Sequence, residues 1–155
     1  MTYSVFISYS TRDLPTANAL ASWINHAGAA AFIAEYAVEP GQPLATDIVS
    51  AIRNCDLFLL LWSSNARGSE WVPQEIGIAK GTGKPIMPVV LHPGLELPGF
   101  IRDLKYVPLD KDPQSAVNWL HSHVVQQIDA KNRNAWVALG VVGAIVLALA
   151  ASNKS

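Results

Sequence analysis

The segment Ser-Glu-Trp-Val-Pro-Gln-Glu-Ile-Gly-Ile-Ala-Lys-Gly, residues 69–81, sets the carboxylate of Glu75 among largely apolar neighbours. On a helix Glu75 lies one turn after Trp71 and shares its face, with Ile78 and Ala79 a turn further on. A carboxylate on the apolar side of a helix is costly to desolvate unless it is partnered or performs chemistry. Beside an indole that chemistry is electrostatic: the ring lowers the local dielectric and strengthens attraction to a nearby cation, or stacks on a flat ligand ring. The competing reading is a surface ion pair between Glu75 and Lys80, Lys84 or Arg67. Other patterns offer less. His121 and His123 are two apart on a helix and point in different directions, so no metal site is expected. The chain has no P-loop, no C-x-x-C and no Ser-His-Asp arrangement supported by spacing.

The elements that must position these residues follow from periodicity. Residues 3–8 alternate as a strand, and a polar loop leads to a helix with Leu14, Ala17, Leu20, Ala21 and Ile24 at helical spacing, for which Asp13 is the expected N-cap. Residues 30–34 form a second strand, 35–43 a Pro- and Gly-marked loop, and 44–55 a helix with Ile48, Val49 and Ile52 on one side. Residues 56–63 make a continuous apolar strand of the kind buried on both faces of a parallel sheet. A polar loop and the helix of residues 71–81 come next. Residues 84–91 form a fourth strand, and 104–109 an edge strand with Pro108 late in it. A last helix carries Val117, Leu120, Val124 and Ile128 on a stripe. Strands alternating with helices predict an α/β domain whose parallel sheet is flanked by helices and binds ligands at the carboxyl ends of its strands.

Eleven basic and twelve acidic residues give a net charge of -1, which argues against a nucleic-acid partner. The single cysteine, Cys55, reads as a buried thiol in a reducing compartment, and the first residues resemble a strand rather than a secretory signal. Composition changes near the carboxyl terminus. The expected organisation is a domain over 1–130, a short basic linker over 131–134, a transmembrane helix over 135–151 and a tail over 152–155. The uncharged run of about 17 residues spans roughly 26 Å as a helix, slightly short of a roughly 30 Å hydrocarbon core. Its alternative is a core helix of the domain. Lys131, Arg133 and Trp136 stand where interface anchors belong, and the excess of basic residues before the run over Lys154 after it favours a cytoplasmic domain on a single-pass C-terminal anchor. Gly140, Ala144 and Ala148 repeat every fourth residue, a stripe suited to helix self-association in lipid.

The stretches Val-Phe-Ile-Ser-Tyr-Ser-Thr-Arg-Asp (5–13), residues 38–63 with their Pro-Gly, and residues 69–91 occur in an order and spacing that resemble the Toll/interleukin-1 receptor (TIR) domain family. The resemblance covers about residues 3–128 and implies a flavodoxin-like sheet. Some members of that family are docking modules, and others cleave NAD at the nicotinamide glycosidic bond with a glutamate in the pattern W-x-x-x-E, which Trp71 and Glu75 match. Nicotinamide leaves without needing a general acid, so one ionised carboxylate beside a developing oxocarbenium ion meets the chemical need.

By the same resemblance Ser8, Tyr9 and Ser10 line the dinucleotide site, with Tyr9 equally readable as a packed core residue. Some relatives carry arginine directly after the tyrosine; here Ser10 is there and Arg12 follows two positions later. Glu39 matches an acidic position facing ligand from a neighbouring subunit, or is a solvated loop carboxylate. Gly41 serves a turn of positive φ. The reading is a membrane-tethered NAD glycohydrolase with NAD as substrate and no cofactor. It yields nicotinamide and ADP-ribose or a cyclic isomer. It homo-oligomerises, responds to a separate activating protein or ligand, and serves prokaryotic antiphage defence. Its rivals are a non-catalytic TIR adaptor and a nucleoside deoxyribosyl-transferase-like enzyme.

Overall fold

The computed structural model describes residues 2–34 and 44–138, the last four through their backbone only. Five parallel strands are described: β1 (Ser4–Ser8), β2 (Ala30–Ile33), β3 (Leu57–Trp62), β4 (Ile86–Val90) and β5 (Val107–Pro108), in the spatial order β2-β1-β3-β4-β5. The helices are α1 (Leu14–His26), α2 (Thr46–Asn54), α3 (Ser64–Arg67), α4 (Trp71–Gly81) and α5 (Pro113–Ala138). The expected parallel α/β sheet flanked by helices is what the chain forms. The edge strand expected over 104–109 is present as β5 but reduced to Val107–Pro108.

Alternation along each strand divides the core in two. Val5, Ile7, Leu57, Leu59, Leu61 and Val89 face α1 and α5, where Ala17, Leu20, Ile24, Ala116, Leu120 and Val124 close over them. Phe6, Phe58, Leu60 and Trp62 face α2 and α4, meeting Ile48, Ile52, Val72, Ile76 and Ala79. Central β3 is buried at all six positions, which is why its sequence is apolar without alternation. On the α2/α4 face Phe6 pairs directly with Phe32 and Phe58 across neighbouring strands, and its ring stacks on theirs at 5.4 and 5.5 Å.

Two stripe positions shift. Val49 is half-buried while Ile48 and Ile52 are fully covered, and Ala116 takes the core place expected of Val117. The stripe of α5 thus runs Ala116, Leu120, Val124, Ile128, a strict four-residue ridge along which Val117 falls to the flank. The loop after β3 contains a turn of helix, α3, whose N-cap Ser63 accepts from the Ala66 N–H at 3.0 Å. Cys55 is buried, with its thiol on the Ile52 carbonyl. His121 and His123 each meet an aromatic ring, Trp23 and Trp119 respectively.

Residues 131–134 are helical and continuous with α5. Among the described residues no helix is long and apolar enough to cross a membrane. The apolar run from residue 139 onward, with Gly140, Ala144 and Ala148, lies outside the described residues, as do Glu39 and Gly41.

Lys131 ties α5 to the sheet, donating to the Thr2 carbonyl at 2.9 Å and the Asp56 carboxylate at 2.7 Å. The same Asp56 oxygen accepts from the Ser4 N–H at 2.8 Å and the Ser4 hydroxyl at 3.2 Å. Burial by itself raises the Asp56 carboxyl, but the Lys131 and Ser4 hydrogen bonds outweigh it and hold it below its ordinary value of 3.8. A carboxyl depressed on folding stabilises the protein above its unfolded pKa, and that stability is lost as pH falls through the folded value. Asp56→Asn is therefore expected to lower the melting temperature at neutral pH, with the gap from wild type closing as the medium is acidified below 3.8. A gap of constant size in acid refutes the ion-pair account. At the other end of the scale burial, with Asp56 and Cys55 nearby, pushes the Tyr3 phenol up to about 12.

Candidate active site

The chain winds from β1 outward to β2, then crosses back to place β3 on the other side of β1. Open parallel α/β sheets form a crevice where the winding reverses, outside the carboxyl ends of the two diverging strands. Here that point is between β1 and β3. The loop after β1 turns through a 3-10 helix, Thr11–Asp13, into α1, and the loop after β3 passes through α3 into α4. Between them lies a cleft of about 410 Å³ whose walls include Ser10, Arg12, Asn65, Ser69, Glu70 and Trp71. The lining residues carry hydroxyl, amide, guanidinium and carboxylate groups and one indole. That combination suits a polar ligand carrying a flat ring.

The two loops are cross-linked by Asp13. Its carboxylate accepts from the Ser63 hydroxyl and from Asn65 Nδ2, the latter at 3.0 Å. The expected cap function fails: Asp13 occupies the N-cap position of α1 but makes no side-chain bond to the helix amides. Pro15 in the first turn removes one of the N–H groups a cap would serve, which frees the carboxylate for donors across the crevice. Ser10 caps the preceding 3-10 turn, its hydroxyl accepting from the Arg12 N–H. Ser69 likewise receives the Trp71 and Val72 N–H groups at the start of α4. Asp13, Ser63 and Asn65 were not singled out from the sequence as site residues; polar side chains directly after two apolar strands were the only signal.

Glu75 has no solvent exposure, so its pairing at the surface with Lys80, Lys84 or Arg67 is ruled out. It sits on the inner face of α4 with Val72, Ile76 and Ala79. Ser8 at the end of β1, also fully buried, donates its hydroxyl to Glu75 Oε1 at 2.9 Å. Ser8 therefore presents its hydroxyl to the carboxylate and not to the cleft. Tyr9 is packed, with its hydroxyl donating to the Ala34 carbonyl at 2.6 Å, so it fastens the β1 loop to the end of β2. Ser10 and Trp71 are among the residues of the cleft wall. Among the described residues the buried polar or charged side chains are Ser8, Ser10, Ser63 and Glu75, all at the carboxyl ends of β1 and β3 or on the helix beside them.

A hydrogen bond to a charged group contributes about 1.5–3 kcal/mol. Ser8→Ala is expected to lower unfolding free energy by about that amount, since it takes a donor from a buried carboxylate. Urea denaturation checks this, and a change within about 0.5 kcal/mol, typical of surface substitutions, contradicts it.

The model of the TIR domain family matches residues 5–124. The chain belongs to the TIR domain family. Two solved structures share the fold of this TIR domain. One is the TIR domain of the Toll-related receptor TRR-2 from Hydra magnipapillata, with TM-score 0.65 and 24% identity over 79% of this chain and 98% of that one. The other is the CMP N-glycosidase BcmB of Clostridium botulinum, with TM-score 0.56 and 18% identity over 75% of this chain and 97% of that one. At these identities the likeness is one of fold. No curated protein sequence matches the chain significantly. The matched span of the TIR domain ends at residue 124, inside α5, so the last part of that helix lies beyond it.

Proposed function

We propose that this TIR protein is a membrane-tethered NAD glycohydrolase in which Glu75 stabilises the ribosyl cation as nicotinamide departs. The observation that carries the reading is the buried Glu75–Ser8 pair beside a polar cleft at the switch point. A carboxylate withdrawn from water acts on a developing positive charge through a low effective dielectric, and oriented groups of this kind act at little reorganisation cost. The indole of Trp71, one turn earlier, offers a surface on which a flat ligand ring stacks. Arg12 supplies a cation to the phosphates from the cleft wall. Water then gives ADP-ribose, or an internal nucleophile gives a cyclic isomer.

Glu75 contributes no surface to the cleft, so substrate reaches it only after the groups covering it rearrange. We assign that rearrangement to self-assembly, driven by a separate activating protein or ligand and favoured by confinement of a cytoplasmic domain to a bilayer. Antiphage defence through NAD depletion is the biological role that fits. The test is nicotinamide release from NAD by the full chain in vesicles at high surface density, with CMP and deoxynucleosides as competing substrates. Release from NAD alone supports the reading. Cleavage of CMP or base exchange on deoxynucleosides in its place transfers the same carboxylate to another glycosidic bond.

The complete burial of Glu75 also favours a second reading, a non-catalytic TIR adaptor in which the carboxylate holds α4 against β1. It predicts no glycosidic cleavage in any assembled state.

A further inference from the structure

Every long helix runs antiparallel to the strands, so α1, α2 and α4 finish at the base of the sheet, where the strands begin. His26, Arg53 and Lys80 lie in their last turns and are exposed. Lys84 leads into β4 on the same side, and α5 brings Lys131 and Arg133 there. The acids facing them are Asp56, already engaged by Lys131 and Ser4, Asp103, which shares a surface hollow with Lys84, and Asp129. Basic groups at helix carboxyl ends are favoured by the helix dipole, and the topology gathers these onto one face. The cleft beside Trp71 opens at the opposite end of the strands.

Lys131 is where α5 leaves this face. From Ala116 to Lys131 the helix is packed on the sheet for roughly 22 Å, and from Lys131 to Ala138 it continues for roughly 10 Å. The uncharged sequence begins at Ala135, one turn after the clamp on Asp56 and Thr2.

We infer that the base of the domain rests on an anionic lipid bilayer, with α5 held upright by Lys131 so that the cleft faces away from the lipid. The inference rests on the membrane tether proposed above. Cationic side chains near an anionic headgroup layer are attracted within a Debye length, and the apolar sequence beyond Ala135 supplies the insertion. The clamp on α5, which is helical through Ala138, passes that insertion to the domain as a fixed orientation, and every tethered copy then presents the same faces sideways to its neighbours.

The experiment uses the full chain in vesicles of phosphatidylcholine and phosphatidylglycerol, with a fluorophore on Thr82→Cys at the base or on Gln114→Cys in the first turn of α5; native Cys55 is buried and stays unlabelled. Lipids carrying a headgroup nitroxide are expected to quench the Thr82 label several-fold and leave the Gln114 label bright. In Arg53→Gln/Lys84→Gln the protein still floats with the vesicles, but quenching at Thr82 weakens. Flotation with equal quenching at both labels, or stronger quenching at Gln114, overturns the orientation and leaves the tether standing. Failure to float overturns the tether and the orientation together.

Discussion

Glu75→Gln is expected to release nicotinamide from NAD about 10²–10³-fold more slowly than wild type, the loss found when one preorganised electrostatic group is removed from an active site. The substitution keeps the size of the side chain and an oxygen that accepts from Ser8, so the 2.9 Å contact survives in form while the negative charge is lost. A glycosidic cleavage that proceeds through a cation loses most from exactly that change of charge, whereas a packing role loses little. The amide adds a buried NH₂, and an unsatisfied donor costs about 1–3 kcal/mol, so the melting temperature must be measured beside the rate. A folded Glu75→Gln protein with wild-type activity removes Glu75 from the chemistry. Equal inactivity of both proteins, with assembly demonstrated, turns the protein into the adaptor and Glu75 into a structural group of α4.

Phe6→Ala is expected to carry the largest penalty to stability, about 3–5 kcal/mol, as large aromatic truncations in packed cores do. Phe6 is fully buried in β1, an interior strand, and its ring lies between those of Phe32 and Phe58. Removing it leaves a cavity and ends two stacked contacts at once, each contributing about 0.5–1.5 kcal/mol beyond area burial. Domains are stable by only about 5–15 kcal/mol, so about a fifth or more of the total is at stake. Phe32 lies on edge strand β2 and is 37% exposed, so Phe32→Ala is expected to lose much less. Urea unfolding of the two variants checks the ordering. Equal losses refute the view that the stack is organised around the central ring.

The sequence by itself determined the alternation of strand and helix, the parallel sheet, the buried β3 and the family. These depend on patterns repeated within a few residues: apolar period two or 3.6, and punctuation by Gly and Pro. Trp71 and Glu75 were legible as a pair for the same reason, since a four-residue spacing on a helix fixes a common face. What Glu75 meets was decided by the tertiary structure. Ser8, its donor, is 67 residues away, and the donors to Asp13 are 50 and 52 residues away. A cap rule looks only at the next turn of chain, so it assigned Asp13 to its own helix and missed the cross-link between the loops. Burial has the same origin: the sequence left a surface pair with Lys80, Lys84 or Arg67 open beside the apolar-face reading of Glu75, and packing of α4 against the end of β1 put the carboxylate inside. Local pattern governs which elements form, because side-chain periodicity and turn residues act within a few residues of chain; long-range packing decides which polar groups are brought together and removed from water.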